Sequence, residues 1–480
     1  MMIQKELDES GVAFGTSGAR GLVTQLTDEV CAAFTAAFLG MMRQHSRVER
    51  LAIGRDLRPS SPAMAAACTA AAKALGVQVD DYGVLPTPAL ALQAMTDGVP
   101  AIMITGSHIP FDRNGIKFYR PEGEITKADE SVILAAQGEL PTLAAGESLL
   151  SSSRAWETYV ARYTEWFAGQ PLAGWRVGLY QHSAAGRDLN HQVLEALGAK
   201  VVVLGRSEDF VPVDTEAVGQ ADRERGRAWA EEHRLDALLS TDGDGDRPLL
   251  GDERGHWLRG DIVGLLCARE LGIQALAVPV SCNTAIESSG VFEAVQRTRI
   301  GSPYVLAEME AISKEYSRVA GFEANGGFLL GSDLQEGDRR LGALPTRDAL
   351  LPALTLMVAA AQRSVALSAL AGELPARYTA SDRLQQVPTE RSRALLASWK
   401  ADTEMMRQSL ELSSVVASQD ITDGLRVTLH NGEIVHLRPS GNAPELRCYV
   451  EAGGEERSQA LVEQVMGRLG AIFASEVGLH

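Results

Sequence analysis

Short apolar runs, each ending in a polar turn and separated from the next by a segment of helical composition, recur along most of this chain and restrict it to an α/β architecture. LAIGRD at 51–56 and PAIMITGSH at 100–108 are strand-like, whereas the Ala-rich stretch 62–75 has helical composition. After a polar stretch at 145–154, WRVGLYQHS, KVVVLG and LDALLSTDGDGD each run from strand into loop, with a helix predicted over 186–197. QALAVPVSCNT at 274–284 and VAGFEANGGF at 319–328 repeat the pattern. Parallel strands need such crossovers, so three successive α/β units are the simplest account.

The C-terminal portion reads differently. DGLRVTLHNGEIVHLRPS at 423–440 holds two strand-like runs joined by Asn431-Gly432, a hairpin signal, and is followed by LRCYVEA and a helix-like 456–474. This predicts a smaller α+β domain, with a helix and linker before it in the Ala- and Ser-rich 358–372. The 480 residues fit such a division, because domains of roughly 150 residues give about three, with two or four equally compatible.

Charge narrows the partners. With 62 acidic and 45 basic residues the net charge is −17, the wrong sign for coating nucleic acid or an anionic membrane, so an anionic substrate must be held by locally clustered Arg and Lys. The five cysteines are scattered without a C-x-x-C pair, which argues against a disulfide framework or zinc site and fits a reducing compartment. The opening MMIQKELDES is acidic, and the longest apolar stretch, near 350–361, is too short for a membrane span and carries Pro352. The expectation is a soluble cytoplasmic protein, monomer or homodimer, with neither nucleic acid nor membrane as partner.

The densest chemical signal is Thr241-Asp242-Gly243-Asp244-Gly245-Asp246-Arg247, placed where a βα unit would have a loop. Carboxylates at i, i+2 and i+4 with glycines between them can converge on one hard cation, Mg²⁺ being the natural candidate. An EF-hand would start similarly, and Glu253 falls at its twelfth position, but its sixth-position Gly is Arg247 here and the approach is a strand. A solvated acidic loop without metal is the plain alternative.

Ile104-Thr105-Gly106-Ser107-His108-Ile109-Pro110 also ends an apolar run. The Ser107 hydroxyl could act as a nucleophile or phosphoryl carrier, with His108 and Lys117 as titratable partners, or it could simply cap the turn. Gly15-Thr16-Ser17-Gly18-Ala19-Arg20-Gly21 and Arg438-Pro439-Ser440-Gly441-Asn442, the latter followed by Arg447, combine amides, hydroxyls and guanidinium groups suited to phosphate. Either could equally be a tight turn with a surface arginine, and neither is a Walker or dinucleotide-binding motif. Glu323 and Asn325, in Gly321-Phe322-Glu323-Ala324-Asn325-Gly326-Gly327, suit hydrogen bonding to vicinal sugar hydroxyls, or an ordinary Asn-Gly turn.

Taken in order, GTSGARG, TGSHIP, DGDGDR, GFEANGG and RPSGN resemble the α-D-phosphohexomutase superfamily, which includes bacterial phosphomannomutases and phosphoglucomutases. The resemblance implies three similar mixed α/β domains followed by a smaller, TATA-box-binding-protein-like α+β domain. The segments are 1–150 with the phosphoserine loop, 151–255 with the metal loop, 256–370 with the sugar loop and 371–480 with a phosphate loop. It implies that Ser107 is the phosphoserine and that Ser107, Asp242, Asp244 and Asp246 hold one Mg²⁺. Arg20 and Arg247 would balance charge on the transferred group, and His108 and Lys117 would perform acid/base work, the lysine crowded by cations. Glu323 and Asn325 would recognise the sugar, and Arg438, Ser440, Asn442 and Arg447 its phosphate.

The implied reaction interconverts hexose 6-phosphate and hexose 1-phosphate through a hexose 1,6-bisphosphate intermediate. Mannose phosphates are the first reading. A phosphoglucomutase or dual-specificity mutase is the alternative, and a non-catalytic phosphosugar-binding homologue the reading from another class. The chain departs from the T-A-S-H-N-P common in the family by carrying Gly106 and Ile109, from the usual sugar-loop Ser by Asn325, and from the usual acidic residue near the last loop by Ala443.

Overall fold

The computed structural model describes residues 2–15, 18–143, 150–440 and 444–475. They group into two compact units, Met1–Ala275 with Gly301–Ala371, and Leu276–Ile300 with Gly372–His480. The sequence reading is borne out in class: mixed α/β sheets precede an antiparallel C-terminal sheet.

In the first unit, Arg50–Arg55 pairs in parallel with both Gln78–Val84 and Ala101–Ile104. Helix Ser61–Ala74 makes the crossover between the first two, and Thr87–Asp97 leads into the third. The chain then turns back: Arg113–Arg120 runs antiparallel to Ala101–Ile104 and to Ala19–Leu22. Ala101–Ile104 is buried at every position, which is why it reads as an unbroken apolar run instead of an alternating one. Phe34 and Phe38 of helix Asp28–Met42 pack against Phe118, with Phe38 and Phe118 ring centres 5.0 Å apart.

A second sheet repeats the scheme. Arg176–Tyr180 is flanked in parallel by Lys200–Leu204 and Ala237–Thr241, after which Pro248–Gly251 returns antiparallel. In the same unit Val319–Phe322, Phe328–Leu330 and Leu344–Asp348 form a further antiparallel succession. Three of the sequence motifs therefore occupy one topological position, the connection between a central strand and the antiparallel strand beside it. The DGDGD loop was expected between strand and helix; Thr241 instead pairs with Pro248, making it a hairpin connection.

The second unit carries the predicted α+β domain. Its five strands run in the order Tyr378–Gln385, Glu445–Ala452, Ile434–Pro439, Leu425–Leu429 and Val416–Asp420, all antiparallel. Gly432, at φ 82°, makes the predicted turn possible after Asn431. Helix Glu455–Ser475 sets Leu461, Val465 and Leu469 into a core with Leu437, Cys448 and Trp399. All five cysteines are buried thiols. No helix among the described residues is long and apolar enough to cross a membrane.

Candidate active site

Ser107 leaves strand Ala101–Ile104 in a left-handed conformation, φ 56°, which a non-glycine residue adopts only when its surroundings enforce it. Here its N–H donates to Thr105 Oγ1 at 2.8 Å, and Thr105 Oγ1 donates in turn to Asp56 Oδ2 at 2.8 Å. The fully buried Arg58 completes the hold, donating to the carbonyls of Ser107 (2.9 Å), Ile109 (2.6 Å), Pro110 (2.7 Å) and Arg113 (3.0 Å). A Cβ on residue 106 would lie 2.6 Å from the Arg58 guanidinium carbon, so the turn has no room for a larger residue while Arg58 keeps its place.

That conformation brings two distant loops together. Ser107 Oγ donates to Asp242 Oδ2 at 2.6 Å, and a Cβ at Gly243 would come within 2.8 Å of the Ser107 carbonyl oxygen. Asp242, Asp244 and Asp246 are wholly buried, and their candidate ligand oxygens lie within 4.8 Å of one another.

Four of the six carboxylate oxygens are hydrogen-bonded. Asp242 Oδ1 accepts from the N–H groups of Asp246 (3.2 Å) and Arg247 (3.3 Å). Asp244 Oδ2 accepts from Thr87 Oγ1 and Lys117 Nζ, each at 2.6 Å, and Asp246 Oδ2 from Lys117 at 2.7 Å. Asp244 Oδ1 and Asp246 Oδ1 are buried without a hydrogen-bond partner. Two orphaned carboxylate oxygens beside a third carboxylate fit a hard, oxygen-seeking divalent cation.

The carboxyl groups do not titrate alike. Burial, then repulsion from Asp244 and Asp246, pushes Asp242 well above the ordinary carboxylate value. For Asp244 burial and Asp246 also act upward, but Lys117 and Thr87 outweigh them and the net displacement is downward. Asp246 goes lower still: burial is overcome by Arg347, Lys117 and Arg247. Lys117, expected among cations, is instead clasped by two carboxylates.

Arg247 Nη1 approaches His108 Nδ1 at 2.8 Å; a guanidinium only donates, so Nδ1 is the acceptor and a neutral ring carries its proton on Nε2. Ser107 Oγ is 3.4 Å from the same Nδ1. Arg20 is pushed down to about 10 by burial and by the fields of Arg247 and Arg347, and its Nη2 has no hydrogen-bond partner. A buried guanidinium nitrogen without a partner, in the field of two further arginines, is a donor suited to an anion. Thr16 and Ser17 of this loop lie outside the described residues.

Glu323 and Asn325 are both buried, between Val319–Phe322 and Phe328–Leu330. Asn325 Oδ1 accepts from the Gly327 N–H at 3.0 Å, and its main-chain oxygen accepts from Thr215 Oγ1 at 3.0 Å. In the second unit, Arg438 sits directly opposite Arg447 across neighbouring strands and pairs with Asp423 at 2.9 Å. Ser440 closes the hairpin through its N–H to the Glu445 carbonyl at 2.8 Å. Asn442, with Gly441 and Ala443, lies outside the described residues.

Sequence reasoning missed Asp56, Arg58, Thr87 and Arg347. Asp56-x-Arg58 directly follows a strand, a signal that could have been read; Thr87 and Arg347 have no local signature. Arg347 binds both Asp246 Oδ2, at 2.9 Å through Nη2, and Glu323 Oε2, at 2.9 Å through Nη1.

Residues 11–139, 259–378 and 382–468 match, respectively, domain I, domain III and the C-terminal domain of the phosphoglucomutase/phosphomannomutase family. A phosphomannomutase of Salmonella muenchen is 52% identical over 96% of each chain. One from Sinorhizobium fredii is 46% identical over 95% of this chain and 98% of its own. The crystal structure of a phosphoglucomutase/phosphomannomutase family protein from Burkholderia thailandensis shares the fold, with TM-score 0.70 at 19% identity over 95% of this chain and 97% of that one. Fold, loops and relatives together define a phosphohexomutase, an isomerase of phosphosugars. The chain belongs to the phosphoglucomutase/phosphomannomutase family of α-D-phosphohexomutases.

Proposed function

We propose that this phosphohexomutase interconverts mannose 6-phosphate and mannose 1-phosphate, with Ser107 as the phosphoryl carrier. The observation that supports this most is the convergence of the Ser107 hydroxyl on Asp242, beside two buried carboxylate oxygens with no partner. Asp242, Asp244 and Asp246 would hold Mg²⁺, which when bound offsets charge on the transferred phosphoryl group. The choice of mannose follows the two phosphomannomutases at 52% and 46% identity.

Phosphorylated Ser107 gives its phosphoryl group to the free hydroxyl of the hexose monophosphate. The O–P bond at Oγ breaks, a bond to the sugar oxygen forms, the sugar hydroxyl proton passes to a base, and Ser107 Oγ takes up a proton as it leaves. The resulting 1,6-bisphosphate reorients and returns its other phosphoryl group to Ser107 Oγ, which gives up its proton while the sugar oxygen left behind regains one. His108, 3.4 Å from Ser107 Oγ, is the base of this reading, and Arg247 would have to release its Nδ1 before it could take the sugar hydroxyl proton. Arg20 and Arg247 supply donors to the phosphoryl oxygens, Glu323 and Asn325 orient the sugar, and Arg438, Ser440, Asn442 and Arg447 hold the phosphate that is not transferred. In this reading segment 1–150 contributes the Arg20 and Ser107 loops, segments 151–255, 256–370 and 371–480 one loop each, and the enzyme works in the cytoplasm.

The test is kcat/KM for mannose, glucose and glucosamine 1-phosphates measured side by side. Mannose 1-phosphate should give the highest value. A higher value for glucose 1-phosphate would make the enzyme a phosphoglucomutase, and absence of turnover with all three would reduce it to a binding protein.

A further inference from the structure

Arg347 lies in strand Leu344–Asp348 and is 1% exposed. Its strand end is anchored, because the neighbouring Asp348 accepts from Tyr159 Oη at 2.6 Å, from Tyr163 Oη and from the Leu350 N–H at 2.9 Å. The Arg347 stem fills the space over the sugar loop, where a Cβ on Gly327 would fall 2.7 Å from Arg347 Cδ. Its guanidinium then spans two loops. Nε and Nη2 reach Asp246 Oδ2 at 3.1 and 2.9 Å, while Nη1 reaches Glu323 Oε2 at 2.9 Å. Lys117 shares the same Asp246 oxygen, and Arg247 Nε stands 3.6 Å from Oδ1, which has no hydrogen bond and is the oxygen left for a metal cation.

These contacts act in opposite senses on two ligands. A fixed positive charge bonded to Asp246 reduces the attraction of that carboxylate for any further cation, and in a buried site such an effect is only partly screened. The same group fixes the Glu323 carboxylate, which otherwise could rotate or stand unpaired in the core. We propose that Arg347 is a positioning residue shared by the metal and sugar loops, holding Glu323 in place for the sugar while limiting the affinity of the aspartate triad for its metal. The inference rests on Glu323 being a sugar-binding carboxylate, as proposed above.

The test compares Arg347→Met and Arg347→Lys with the unmodified full-length enzyme. Mn²⁺ affinity is measured by calorimetry without substrate, and KM and kcat for mannose 1-phosphate at saturating Mg²⁺. Arg347→Met, which keeps the stem and removes the charge, should bind Mn²⁺ about tenfold more tightly and raise KM about tenfold. Arg347→Lys keeps the charge but cannot span two carboxylates, so Mn²⁺ affinity should stay near the original while KM rises. Adding Arg347→Met to Glu323→Gln should raise KM little beyond the single Glu323 variant, because both act through one contact.

General loosening of the site would weaken both ligands together. Unchanged or weaker Mn²⁺ binding in Arg347→Met, or an unchanged KM, overturns the inference. If Arg347→Met does not fold, Arg347→Lys decides: a normal KM or an altered Mn²⁺ affinity overturns it. A Glu323→Gln enzyme with normal KM would instead refute the sugar-loop reading, and with it the sugar half of this inference.

Discussion

The Ser107 hydroxyl donates its proton to Asp242 Oδ2 at 2.6 Å, and a phosphoryl group on Oγ would abolish that bond, since a phosphoester oxygen carries no proton. If Ser107 carries the phosphoryl group as proposed, its phosphorylation would free Asp242 Oδ2 for a cation just as new negative charge arrives beside it.

Ser107→Ala should therefore reduce mutase turnover to a trace while phosphosugar binding by calorimetry persists, because the hydroxyl carries the group and the binding loops are untouched. Near-normal kcat in this variant would sink the carrier assignment.

EDTA should suppress activity and Mg²⁺ restore it, given the orphaned Oδ1 atoms of Asp244 and Asp246. Asp244→Asn should weaken divalent-metal binding by at least about tenfold and leave the protein folded, as measured by calorimetry and circular dichroism. Full activity in metal-free buffer is the contrary result.

Gly106→Ala puts a methyl group 2.6 Å from the Arg58 guanidinium carbon, whose nitrogens are fixed by four carbonyls and by Asp56. The expected loss is about 1–3 kcal/mol in urea unfolding, the usual cost of overpacking. Because Arg58 also holds Ser107, kcat should fall more than KM rises. An alanine variant as stable and as fast as the original would show that Arg58 does not fix the loop.

Arg438→Ala should raise KM for both the 1-phosphate and the 6-phosphate, since a reorienting sugar presents each end in turn to the phosphate loop. A charge-assisted contact of roughly 1.5–3 kcal/mol corresponds to about one to two orders of magnitude in kcat/KM. Steady-state kinetics in both directions check this, and impairment with only one of the two substrates contradicts reorientation.

Burial lowers His436 to about 4, with Arg426 adding to the effect and the Asp423 carbonyl opposing it. In the unfolded chain the ordinary value is about 6.5, so between the two the unfolded state binds the extra proton. The stability this imidazole contributes is complete above about 6.5 and is lost as pH falls towards about 4, up to roughly 3 kcal/mol in all. Melting temperatures from pH 7 to 4.5 should therefore fall more steeply for the original protein than for His436→Gln. Parallel curves would contradict the assignment.

How much the sequence disclosed follows from the range of the interactions. Asp242, Asp244 and Asp246 are legible because one short loop holds all three, and Ser107 because its turn ends an apolar run. Arg347 is invisible by the same reasoning: it reads as an ordinary strand residue, and its partners lie 101 and 24 positions away. The strand after the metal loop, Pro248–Gly251, has four residues, too few for any period to show, so the loop was expected to lead into a helix. The Asn431-Gly432 hairpin was readable because turn chemistry is local. Lys117 was misjudged in its surroundings, since the carboxylates that clasp it arrive from another sheet.

The central claim is that Ser107 carries the phosphoryl group, and intact mass tests it most directly. The enzyme incubated with Mg²⁺ and a hexose 1,6-bisphosphate should gain about 80 Da, mapped by peptide analysis to Ser107, and lose it on addition of hexose monophosphate. The Ser107→Ala variant should gain nothing. A phosphoryl group on another residue, or sustained turnover with no phosphorylated enzyme at any stage, would contradict the account.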